Sequence, residues 1–172
     1  MEDGEILRGN RWTALPLHGK NGTLLYATAV SMSCSIVISW TGGTDIDVCS
    51  FYSHYPSASV GWSHGGSIDT GDGFTASWAG DNTSGGPENI TLAYQGARGI
   101  AGKSFEIHAN WYSTGSDSGG GDVTVTTTDG SGNVKSMTFT PAHTKHKAAQ
   151  PGNPGVRIIF NYDGTVKSIT AA

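Results

Sequence analysis

A chain of 172 residues with a formal net charge of −4 suits one domain with a core of its own. Only 14% of its residues are charged, against roughly 25% in an average globular protein, while Gly fills 26 positions. Such a balance argues against nucleic-acid or anionic-membrane partners, and no apolar run approaches the roughly 20 residues of a membrane-spanning helix.

The chain opens with MEDGEILRGNRW, which shows neither a basic n-region nor an apolar h-region. No signal peptide is visible, so cytoplasmic synthesis is expected. Residues 1–20 are polar and irregular and read as an N-terminal arm that orders against a neighbour. Residues 21–172 read as a single domain.

Short period-two runs then follow one another. They are LLYATAV (24–30), CSIVISW (34–40), IDVCSFY (46–52), FTASW (74–78), NITLAYQ (89–95) and SFEIHANWY (104–112). DVTVTTT (122–128), VKSMTFT (134–140), GVRIIFNY (155–162) and TVKSIT (165–170) complete the series. Each is bounded by turn-forming residues, and no window of helical length carries a 3.6 period. Ten short strands predict an all-β fold, an antiparallel β-sandwich of jelly-roll type.

Two hairpins are specified by their turns. Asp163-Gly164 predicts a type I′ turn, and TTDGSGNVK a longer Gly-containing loop. A third hairpin is expected around Gly42-Gly43, with Trp40 opposite Asp45 and Ile36 opposite Cys49. That register puts Cys34 and Cys49 on one face, too far apart for a disulfide. Two cysteines are in any case too few for a disulfide scaffold or a Cys-based zinc site.

Alternation assigns the inward faces to Cys34, Ile36, Ile38 and Trp40; to Phe105, Ile107, Ala109 and Trp111; to Ile90, Leu92 and Tyr94; and to Met137 and Phe139. His108 falls on the outward side and reads as a surface residue. Residues 141–155 are polar, contain three prolines and show no core-facing alternation. They are expected to be dispensable for folding but not for association.

Charge is distributed unevenly. Between Lys20 and Arg98 there is no Lys or Arg, yet Asp45, Asp47, Asp69, Asp72, Asp81 and Glu88 all fall there. Clustered carboxylates repel unless a cation intervenes. Calcium takes six to eight oxygens from carboxylates, Asn side chains and backbone carbonyls on flexible loops. Asp45 and Asp47 are two apart at a strand start and point to one side. Asp81 and Asn82 lie in the Gly-rich loop AGDNTSGGPEN, which Glu88 closes. The competing reading is that Asp and Asn are turn formers that never meet.

The stretches ISWTGGTDIDVCSFY, GDNTSGGPENITL and FEIHANWY resemble the TerD family of bacterial stress-response and tellurium-resistance proteins. The resemblance covers about residues 34–112. It implies a calcium-binding β-sandwich with ligands at Asp45, Asp47, Asp81, Asn82 and Glu88. Where that family carries an acidic pair after the Gly-Asp-Asn loop, this chain has Pro87-Glu88-Asn89, which implies a weaker or single site.

Catalytic patterns are absent: no Gly-x-Ser-x-Gly elbow and no phosphate-cradling loop leads into a helix. His143 and His146 sit among lysines and read as a basic loop. Trp62, Tyr52, Tyr55 and Tyr112 lie near loops or strand ends, where planar rings can hold a sugar. The sequence therefore predicts a non-enzymatic, calcium-binding structural or adhesive subunit of a larger assembly, such as a phage virion component, with protein partners or self-association. A cytoplasmic stress protein of the TerD type and a carbohydrate-binding module are the alternatives.

Overall fold

The computed structural model of the protein describes residues 16–18, 24–26, 31–42, 45–71, 73–95, 102–113, 120–144 and 146–172. The chain divides into two compact units, Met1–Val30 and Ser31–Ala172. In the first, β1 (Pro16–His18) and β2 (Leu24–Tyr26) form an antiparallel pair of their own. Of the arm expected over residues 1–20, all but Pro16–His18 lies outside the described residues.

The second unit is a β-sandwich of two antiparallel sheets, with no helix among the described residues. Its strands are β3 (Ser31–Trp40), β4 (Asp45–Tyr52), β5 (Ser59–Gly61), β6 (Ser67–Asp69), β7 (Phe74–Trp78) and β8 (Glu88–Gln95). Then come β9 (Ser104–Ser113), β10 (Val123–Asp129), β11 (Val134–Phe139), β12 (Gly155–Phe160) and β13 (Val166–Ala171). One sheet runs β11-β10-β3-β8-β7-β6 and the other β13-β12-β9-β4-β5. No helix of the described residues is long and apolar enough to cross a membrane.

Alternating side chains from both sheets make the core. Cys34, Ile36, Ile38, Ile90, Leu92, Tyr94 and Val125 from one meet Ile46, Val48, Phe105, Ile107, Trp111 and Ile158 from the other. Trp40, Met137 and Phe139 are partly buried against them, as the alternation predicts. Tyr52 is fully buried and stacks on Phe74, with ring centroids 4.1 Å apart. It is a core residue and not part of a surface ring platform.

The expected β3–β4 hairpin does not form. β3 pairs with β8 and β10, whereas β4 pairs with β9 and β5. Trp40 lies opposite Val123, and Cys49 opposite His108 and Gly61. The chain crosses from one sheet to the other after Trp40, because both strands carry a full apolar face that a shared core can bury from opposite sides. Both thiols are free and buried, for a reason other than the one expected. Cys34 faces the inter-sheet core, while Cys49 lies on the opposite face of β4, packed with Phe51 and Ala149.

The β12–β13 turn also differs. Among the described residues positive φ at non-Gly positions occurs only at Ser63 and His146, so Asp163 does not meet the type I′ requirement. Gly164 takes φ +84°, and its N–H donates to Asn161 O at 3.1 Å. A three-residue loop with a left-handed Gly results, and Asp163 Oδ1 accepts from Thr165 N and Oγ1.

Residues 141–144 and 146–154 run as a strap over the outer face of β4 and β9. Asn110 Nδ2 donates to the carbonyls of Thr144 and Lys147, and its Oδ1 accepts from Thr144 N at 2.9 Å. His64 Nε2 donates to Ala149 O at 2.8 Å, which leaves its Nδ1 to accept from Ser59 Oγ at 3.0 Å. His108 Nδ1 donates to Asn153 O at 2.6 Å. Thus His108 points outward, as alternation says, but is 3% exposed: the strap covers it, and its ring stacks on Phe51. Ala149 is fully buried, so the strap is part of the fold and not a dispensable loop.

Candidate metal centre

β4 enters its sheet with Asp45 and Asp47 on the outward side, since Ile46 and Val48 face the core. β5 pairs with β4 only from Cys49 to Phe51, which leaves the strand's first half open along that edge. The β7–β8 loop reaches this edge. Carboxylate oxygens of Asp45, Asp47 and Asp81 all lie within 4.8 Å of one another. The two sheets therefore contribute to one acidic cluster, two groups from β4 and one from the loop that opens β8.

Local sequence shapes that loop. Ala79 N–H donates to Asn89 O at its base. Asn82 Oδ1 accepts from Ser84 N at 3.1 Å and Ser84 Oγ at 3.2 Å, an Asx turn. A Cβ on Gly86 would meet the Asn82 carboxamide, so a larger residue there would displace that side chain. The Asn82 carboxamide oxygen is thus engaged within the loop. The Asn82 backbone N–H works against the rise of the Asp81 and Glu88 carboxyls.

Glu88, the first residue of β8, feels the charges of Asp81 and Asp47. It is 1% exposed, and its Oε2 accepts from Trp78 Nε1 at 2.7 Å. Its Oε1 is buried with no hydrogen-bond partner among the described residues. The same holds for Asp47 Oδ2, on a residue 1% exposed, and for Asp45 Oδ1. Buried acceptors are almost always satisfied, so three orphaned carboxylate oxygens at one place call for a shared partner.

Electrostatics point the same way. Burial, and then the charges of Asp45 and Asp81, push the Asp47 carboxyl up to about 7. Burial lifts Glu88 to about 8 despite the hydrogen bond from Trp78. Asp45 is raised by burial and by Asp81, and Asp81 by burial against the opposing Asn82 N–H. No Lys or Arg between residues 21 and 97 is available to neutralise the group. Three converging aspartates, with Glu88 nearby, form a donor set suited to a hard divalent cation, with the remaining ligands supplied by carbonyls or water.

Of the five residues singled out in the sequence, Asp45, Asp47 and Asp81 converge, Glu88 lies close enough to feel the charges of Asp81 and Asp47 but outside that group, and the Asn82 side chain shapes the loop. Trp78 was missed, because a Trp ending an alternating strand reads as core. Comparison with protein-family models, with curated proteins and with solved structures returned no match.

Proposed function

We propose that the chain is a non-enzymatic β-sandwich module that binds calcium between the start of β4 and the β7–β8 loop, and serves as a structural subunit of a larger assembly. The observation that carries the calcium reading is the pair of fully buried, unpartnered oxygens of Asp47 and Glu88 beside Asp45 and Asp81. An ion there joins the two sheets at an edge that no strand covers. The carboxylates stop repelling each other, and the loop gains an anchor.

The assembly role rests on composition and on the separate unit Met1–Val30, whose small β1–β2 pair offers a second body for contact with a neighbour. A virion component of a phage fits this reading. The similarity to TerD proteins supports the same ligands in a cytoplasmic stress protein. Native mass spectrometry separates the two: an ordered multi-copy particle supports the assembly reading, and a calcium-loaded monomer the second. For the site itself, isothermal titration with calcium chloride is the test. Binding of about one ion per chain that disappears in Asp47→Asn is the expected result, and no heat of binding in the wild type overturns it.

A further inference from the structure

Both ring nitrogens of His108 face oxygens that only accept. Nδ1 lies 2.6 Å from the Asn153 carbonyl of the strap, and Nε2 lies 3.2 Å from Glu106 Oε2. Glu106 is a carboxylate paired through its other oxygen with Arg157 Nε at 2.8 Å. A neutral imidazole has one N–H and one lone pair, so it serves one of these oxygens and turns its lone pair on the other. The imidazolium donates to both. His108 is 3% exposed and stacked on Phe51, which leaves little solvent to replace either contact.

The other groups around the ring do not compete for its protons. On β4 the residue opposite is Cys49, whose Sγ lies 3.9 Å from His64 Nδ1, while Asp47 lies opposite Asn110 instead. On β12 the one charged residue is Arg157, which is turned to Glu106. Gly155 of β12 lies opposite His108, and a Cβ there would come 3.0 Å from Nδ1, so the end of the strap runs hard against the ring. Residues 148–154 of the strap carry no charge.

We infer that His108 is a proton latch, whose imidazolium holds the 148–154 part of the strap closed and whose deprotonation releases it. A charge-assisted hydrogen bond is about twice as strong as a neutral one, so the last N–H goes to Glu106. The Asn153 carbonyl then faces a lone pair. Because the contact with Asn153 exists only in the docked strap, docking favours the protonated ring, and protonation favours docking to the same degree. Closure is complete while the ring holds two protons. It is lost as pH rises and the ring gives one proton to water.

The test is slow alkylation of the full chain by iodoacetamide under native conditions, with mass spectrometry of the two thiols. Cys49 is buried with Ala149 of the strap, and Cys34 lies in the inter-sheet core. Modification of Cys49 reports strap opening, and that of Cys34 reports global unfolding. Rates are divided by that of a free thiol peptide at the same pH, which removes thiolate formation. The expected Cys49 rate in the wild type rises about tenfold or more between about pH 6 and about pH 9, with Cys34 slower throughout. In Glu106→Gln the amide donates to Nε2, a neutral ring satisfies both contacts, and the rise disappears. Titration of the acidic cluster is common to both proteins and cancels in the comparison. An equal rise in both, or none in the wild type, overturns the inference. Cys49 reacting no faster than Cys34 also overturns it, since the strap then opens only with the whole fold. A second measurement needs no variant. In the labelled wild type, the His108 ring nitrogens and the Ala149 methyl are expected to titrate with one midpoint by NMR. An Ala149 signal that stays fixed while His108 loses its proton overturns the latch.

Discussion

Asp129 Oδ2 accepts the backbone N–H of Val166 at 3.0 Å, tying the β10–β11 turn of one sheet to the first residue of β13 in the other. The same carboxylate takes Ser131 N, Asn133 N and Asn133 Nδ2 on Oδ1, so it organises its own turn as well. Although burial works against its charge, these donors together hold Asp129 below the usual carboxylate range. Asp129→Ala leaves several N–H groups unpaired and is expected to cost about 2–4 kcal/mol, read from urea unfolding. Since its folded pKa is depressed, the Asp129 contribution is complete above the unfolded value and is lost as pH falls through the folded one. A variant as stable as wild type at pH 7 removes this link.

The acidic cluster carries the opposite sign. Asp47 and Glu88 are raised to about 7 and about 8, so the folded chain holds more protons than the unfolded chain from about pH 4 upward. In chelator, stability falls as pH rises through this window and levels off above about pH 8. With calcium saturating, the folded carboxylates are already deprotonated, and the fall between pH 5 and pH 8 flattens. Thermal melts across pH in both conditions check this. Matching curves with and without calcium dismiss the site.

Asp47→Asn separates a cation site from solvated acids by sign. Without calcium the substitution relieves repulsion from Asp45 and Asp81 and is neutral or stabilising. With calcium at a hundredfold excess over Kd, the wild type gains about 2.7 kcal/mol and the variant loses most of that gain. Paired melting curves in chelator and in calcium give both numbers.

The strap is expected to depend on Asn110, which is 1% exposed and holds strap atoms on both ends of its carboxamide. Asn110→Ala strands the buried groups it now serves, at a cost of about 2–4 kcal/mol. Limited proteolysis should then cut within residues 141–154 while wild type resists. An unchanged digestion pattern sinks the claim that the strap is clamped there.

Cys34 and Cys49 lie on different sheets, Cys34 facing the inter-sheet core and Cys49 the outer face of its own sheet. Burial pushes both thiols well above their usual range, Cys34 to about 12 and Cys49 to about 11. Thiol titration is expected to find almost nothing reactive in the native protein and two groups in denaturant without reductant. Fewer than two in denaturant contradicts the separation.

Strand composition was legible because each long strand buries one face, and burial writes itself into the sequence at period two. Pairing was not. β3 and β4 are adjacent in the chain, yet their partners are up to about ninety residues away, and alternation identifies a face without naming the neighbour. β5 and β6 span three residues each, too few to show a period. The acids could be gathered from charge asymmetry, since Asp45 and Asp47 share a side by spacing alone. Their meeting with Asp81 needed the sandwich to bring a loop of one sheet to an edge of the other. The strap was misread because it is held through backbone carbonyls, which any sequence supplies.

The first half of β4 is an open edge closed by a loop and its acids instead of a strand. Unpaired strand edges are templates for joining to another chain, and charge is a common means of keeping them single. Here the closure is itself under electrostatic tension whenever the acids are ionised and uncompensated. If calcium fills the cluster as proposed, its withdrawal at mildly alkaline pH is expected to free the loop before it unfolds the core, which native-state proteolysis in chelator checks. Self-association through β4 at temperatures well below the melt is then the expected damage.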